Sequence, residues 1–165
     1  MAKHRIRFAQ NRTIAYRAAS LEDSFKECID QARETVFLSY RWQEGRRFAI
    51  SLAREFRRKG FSPWLDALSV PAYEATREPG VNAPRLKKLI KLGIEKSKLG
   101  VVINTETYAK TSWTRIELGH IRRNNIPWFQ VMRGGTERKC DEPPIFSRKP
   151  EVVVQEILKR CSHSA

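Results

Sequence analysis

Apolar residues in this chain alternate between two patterns. Short runs rich in strand-forming residues, at Val36–Tyr40, Phe61–Leu65, Gly100–Asn104 and Trp128–Met132, read as buried strands. Between them the apolar positions take helical spacing: Phe48, Leu52 and Phe56 recur at every fourth residue, and Gly60 ends that helix. A basic helix is predicted from about Pro84 to Lys96, another from Ser112 to Asn124, and a closing one over Glu151–Cys161. Asp66 to Ala83, with Pro71, Pro79 and Gly80, reads as a long loop of the kind that serves a ligand or a partner. Arg133 to Lys149 carries Gly134-Gly135 and Pro143-Pro144 and reads as irregular, with a short edge strand at Ile145-Phe146. Residues 1–34 read as an extension with a basic start, in which Ser20-Leu21-Glu22-Asp23 caps a helix running to about Glu34. The domain proper then occupies residues 35–165.

Regular strand–helix alternation predicts a parallel sheet, because parallel strands need crossover connections and those connections are right-handed. The expected architecture is a three-layer, flavodoxin-like α/β domain. It has a mainly parallel sheet of about four or five strands and helices on both faces. Ligands on such sheets sit at the carboxyl ends of the strands. That rule brings Ser39, Tyr40, Arg41, Trp42, Asp66 and Asn104 to one rim. Trp113 and Glu117, one helical turn apart on a shared face, would join them there. A Glu on an amphipathic helix is most often solvated, and a Trp one turn away is most often packing.

Composition narrows the classes. A length of 165 residues suits one domain with a real core. No stretch approaches the roughly 20 apolar residues of a membrane span, and the start lacks a secretory apolar core, so a cytoplasmic protein is expected. Cys28, Cys140 and Cys161 are scattered, without metal-ligand spacing, which predicts reduced thiols and no metal site. The net charge of +14 raises nucleic acid as a partner. The basic residues are nevertheless dispersed (Arg5 and Arg7; Arg54, Arg57, Arg58 and Lys59; Lys87, Lys88 and Lys91; Arg122 and Arg123), with no recognisable nucleic-acid module. Solvated helix faces are the expected reading, and the charge fixes the sign of a partner more than its identity. His120 reads as surface or packing, and nothing around Cys140 supports a lowered thiol pKa.

Four segments in order carry a resemblance: Val36-Phe37-Leu38-Ser39-Tyr40, Gly60-Phe61-Ser62-Pro63-Trp64-Leu65-Asp66, Gly93-Ile94-Glu95-Lys96-Ser97, and Tyr108 through Leu118. They resemble the successive boxes of a Toll/interleukin-1 receptor (TIR) domain, over roughly Thr35 to Arg133. The resemblance implies an enzyme that cleaves the nicotinamide–ribose bond of NAD, with Glu117 at the position of the family's essential acid. Trp113 also matches enzymatic members, and Tyr40-Arg41 falls where the family places substrate contacts. In that frame Trp113 walls the pocket, Arg41 meets the pyrophosphate, and Tyr40 or Trp42 stacks on a flat ring. Ser39 and Asp66 are further candidate contacts, although Ser39 more often ends a strand and Asp66 equally caps its loop.

NAD is then the substrate, with no other cofactor. Its product is ADP-ribose or a cyclic or conjugated form, according to the nucleophile that follows. The nearest setting implied is the stand-alone bacterial TIR protein of anti-phage defence, with a separate effector that reads the product. Self-association through the Asp66–Ala83 loop is expected, although that loop lacks the family's usual acidic and glycine order. A non-enzymatic TIR–TIR interaction module is the alternative.

Overall fold

The computed structural model describes residues 35–65 and 83–163. The expected N-terminal extension and the Asp66 loop lie outside those residues, apart from Ala83. Four strands, β1 (Thr35–Tyr40), β2 (Ser62–Trp64), β3 (Leu99–Thr105) and β4 (Trp128–Arg133), form one sheet in the order β2-β1-β3-β4. Every pairing is parallel. Among the described residues four α-helices connect or follow them: α1 (Trp42–Arg58), α2 (Ala83–Glu95), α3 (Ser112–Arg123) and α4 (Pro150–His163). A 3-10 turn, Tyr108–Lys110, leads into α3.

The period-two pleat sorts side chains to the two faces. Val36, Leu38 and Tyr40 of β1 join Val101 and Ile103 of β3 and Phe129 and Val131 of β4 on one face. Ala49, Leu52, Ala53 and Phe56 of α1 and Val153, Val154 and Ile157 of α4 cover that face. The opposite face carries Phe37, Val102 and Trp128, and is covered by Ile90 and Ile94 of α2 and Leu118 and Ile121 of α3. Phe37 stacks on Trp64 with ring centroids 4.8 Å apart, so two large apolar surfaces leave water together. Helices on both faces favour strands apolar on both sides through their middle, which is why the strand segments read as nearly continuous runs.

Boundaries moved by a residue or two from the expected ones. Gly60 takes a φ of +87°, the left-handed conformation that stops α1. Phe48, expected on the buried stripe of α1, sits half-buried at its margin with the Arg133 guanidinium 4.5 Å from its ring centre. The expected edge strand at Ile145-Phe146 reduces to one bridge, in which Ile145 bonds the backbones of Gln130 and Met132 beside β4.

The second face turns polar toward the carboxyl ends of the strands. The register sets Phe37, Gly100 and Trp128 in one cross-strand row and Ser39, Val102 and Gln130 in the next. Beyond Gln130 the irregular segment after β4 folds back and is fastened by side chains. Gln130 bonds both the carbonyl (2.7 Å) and the amide (3.1 Å) of Arg138, and Asn104 Nδ2 donates to the Thr136 carbonyl at 2.8 Å. A carboxamide that donates and accepts in this way substitutes for a neighbouring strand, satisfying backbone groups the sheet leaves open.

Candidate active site around Glu117

Glu117 is seated by the start of α3. Thr111 caps the helix, accepting from the Thr114 amide at 3.4 Å. The Thr114 hydroxyl in turn donates to the backbone carbonyl of Tyr108, which fastens the 3-10 turn to the helix. One turn further along, Glu117 points at the sheet and is only 7% exposed. Ser39, near the carboxyl end of β1 and on the same face, donates its hydroxyl proton to Glu117 Oε2 at 2.5 Å. The Ser39 oxygen also lies 2.6 Å from the Tyr108 hydroxyl. A buried carboxylate needs charge-assisted hydrogen bonds to offset lost hydration, and Ser39 supplies one.

The structure therefore brings Ser39 and Glu117 together across 78 residues of sequence. Trp113 lies one turn before Glu117, half-buried against the core of the same face. Tyr40 follows Ser39 and so projects to the other face, where it is 6% exposed within the α1–α4 core. Trp42 packs against that same core, with the Arg46 guanidinium 4.1 Å from its ring centre. Asp66 lies outside the described residues. Arg41 stands at the carboxyl rim, where Nη1 donates to the Thr107 hydroxyl and lies 3.3 Å from Glu44. Its Nη2 donates to Gln43 at 3.0 Å. The Thr107 hydroxyl donates in turn to Glu44, and this hydrogen bond first, then one from Thr105, lowers the Glu44 carboxyl from its ordinary value. This network ties the first turn of α1 to the loop after β3.

Sequence reasoning gave Tyr108 no role, yet it is the second partner of Ser39. The available signal was a tyrosine in a segment headed for the core, since a buried phenol needs a partner for its O–H. Burial first, and then the nearby Glu117 charge, push the Tyr108 phenol far above its ordinary value of about 10. Below pH ~10 the phenol is neutral in both folded and unfolded chains and contributes nothing to pH dependence. Above it the unfolded chain loses a proton that the folded one keeps, so stability falls by about 1.4 kcal/mol per pH unit. Wild type should therefore lose more stability than Tyr108→Phe between pH ~10 and ~11 in denaturant titrations. Identical slopes would show that Tyr108 ionises within the folded protein.

Two other candidates have ordinary surroundings. His120 is pushed down by partial burial and by the positive charges of Arg123 and Lys91, which suits a packing residue between α2 and α3. Cys140 is pushed up by burial and donates its thiol hydrogen to the Trp128 carbonyl, so it stays a thiol. No described helix is long and apolar enough to cross a membrane.

No curated relative matches the chain. Among solved structures, it is similar to the TIR domains of the activated Roq1 resistosome directly recognizing the pathogen effector XopQ, at 22% identity and a TM-score of 0.46. That likeness covers 59% of this chain and 56% of that one, so this chain spans little more than half of it. It is also similar to the TIR domain of the Toll-related receptor TRR-2 from Hydra magnipapillata, at 14% identity and a TM-score of 0.47, covering 78% of this chain and 95% of that one. The profile of the TIR domain matches residues 36–152, running beyond the Thr35–Arg133 stretch of the expected resemblance and through the irregular segment after β4. Because that match takes in all four strands and reaches the start of α4, the chain belongs to the TIR domain family.

Proposed function

We propose that this TIR domain cleaves the nicotinamide–ribosyl bond of NAD, with Glu117 as the catalytic carboxylate. The observation that carries the reading is a buried acid at the carboxyl end of a parallel sheet, bonded to Ser39 and preceded one turn earlier by Trp113. The nicotinamide of NAD is already cationic. When the C–N bond breaks, its electron pair stays with the ring nitrogen and the base leaves neutral, with no acid needed to protonate it. An ordinary glycosidase needs two carboxyl groups; here one suffices. Glu117 holds the ribose hydroxyls and stabilises the positive charge that develops on the sugar, an interaction strengthened where water is excluded. Trp113 walls the pocket.

Arg41 is the proposed pyrophosphate contact. Its pair with Glu44 is part-exposed, and such pairs contribute up to about 1 kcal/mol. A pyrophosphate replaces that partner at small cost. Water at the anomeric carbon then gives ADP-ribose, and the adenine ring or another acceptor gives a cyclic or conjugated messenger. NAD is the substrate and no further cofactor is required. We place the activity in cytoplasmic defence signalling, with self-association of TIR surfaces raising turnover and a separate effector reading the product.

The expected result is nicotinamide release from NAD by purified protein, rising more than proportionally with protein concentration. Chromatography of the nucleotide products checks it. No release at high concentration, with the activating trigger present, would count decisively against the reading. A purely associative TIR module is the second reading. In that case Glu117→Ala leaves the biological output intact.

A further inference from the structure

Two buried hydroxyls in series end on the Glu117 carboxylate, and proton counting fixes their direction. A carboxylate only accepts, so the proton at the 2.5 Å contact belongs to Ser39. A serine hydroxyl has one proton. At its 2.6 Å contact with Tyr108 it must therefore accept, and the phenol must donate. The other acceptor within reach of the phenol, the Thr114 carbonyl at 3.4 Å, is too distant to compete with Ser39.

Tyr108 is itself rigidly placed. It is 1% exposed, packed with Phe37, Ile121 and Trp128, and has its backbone carbonyl bonded by Thr114. The Arg138 guanidinium lies 5.4 Å from its ring centre, on the segment fastened by Gln130. Ser39, by contrast, has a hydroxyl that rotates about a single bond. Once the phenol donates into one of its lone pairs, the remaining orientations narrow to those that aim the serine proton at Glu117.

Resting on the reading of Glu117 as the catalytic carboxylate, we propose that Tyr108 is a positioning residue for it. Its O–H, donated to Ser39, orients the serine hydroxyl that pins Glu117 Oε2. A positioned carboxylate matters most when charge develops on the sugar, so the contribution belongs to kcat and not to NAD affinity.

The test is a double-mutant cycle on nicotinamide release. Tyr108→Phe keeps the ring that fills the core and removes only the oxygen. We expect kcat to fall about tenfold with KM within about twofold of wild type. Ser39→Ala is expected to lower kcat by about ten- to thirtyfold. The double variant should be no worse than Ser39→Ala alone, because Tyr108 acts only through Ser39. A merely structural tyrosine would give multiplying losses or would move KM.

The failures are distinguishable. An inactive wild type, or full activity in Glu117→Gln, overturns the catalytic reading and the positioning role with it. An active, Glu117-dependent wild type with an unchanged kcat in Tyr108→Phe, or with multiplying losses in the double variant, overturns the relay alone. Should Tyr108→Phe not fold, full activity in Ser39→Ala has the same consequence.

Discussion

Glu117→Gln is expected to lower nicotinamide release by about 10²–10³-fold, about 2.7–4 kcal/mol, while leaving the fold and the melting temperature nearly unchanged. Glutamine has the shape of glutamate and an oxygen that accepts from Ser39, so the 2.5 Å contact keeps an acceptor. What it loses is the negative charge, and only the charge opposes the cation forming on the ribose. The loss should fall on kcat, since the positive charge exists in the transition state and not in bound NAD. Steady-state kinetics with calorimetry of the variant separate this from unfolding. Wild-type kcat in a folded Glu117→Gln protein would remove the electrostatic role. An altered mixture of linear and cyclic products would show that the same carboxylate also guides the second nucleophile.

Gly135→Ala is expected to destabilise the domain by about 2–4 kcal/mol, roughly 5–15 °C in melting temperature. A Cβ at Gly135 would come within 3.0 Å of the Asn104 side-chain oxygen and of the Thr105 carbonyl. The first could shift; the second is sheet backbone and cannot. The chain here passes close because the Gly135 amide bonds the Asn104 carbonyl at 3.1 Å. Displacing it loosens the bonds from Asn104 to Thr136 and from Gln130 to Arg138, and buried amides are then left without partners. Gly119→Ala is the matched control. Its Cβ would meet only the guanidinium end of Arg123, at 3.9 Å, so in the interior of α3 it should be neutral or stabilising by up to about 1 kcal/mol. Equal melting temperatures for Gly135→Ala and wild type would mean that the segment after β4 is not anchored there.

The layout of the sheet was legible because its signals are local. Val36–Leu38 and Val101–Ile103 are apolar on both faces because helices cover both, and the α1 stripe through Leu52 and Phe56 must repeat with the helical turn. The TIR resemblance rested on the same strands and on the Tyr108–Leu118 segment, and the profile match from 36 to 152 agrees with it. The segment after β4 was read as irregular, and it is; its order comes from Gln130 and Asn104, whose amides do the work of a strand without leaving any periodicity.

By itself the sequence determined the alternation of strands and helices, the parallel sheet that follows from it, and the position of Glu117 on a helix near the strands' carboxyl ends, because hydrophobic period and turn chemistry are properties of neighbouring residues. Adjacency at the rim was a weaker guide. Ser39 and Tyr40 are consecutive, so the pleat sends one toward Glu117 and the other into the opposite core. Only the tertiary structure decided that Ser39, Tyr108 and Glu117 meet. Their contacts join β1, the turn after β3 and α3, and depend on how the crossover docks those elements, which no local pattern along the chain encodes.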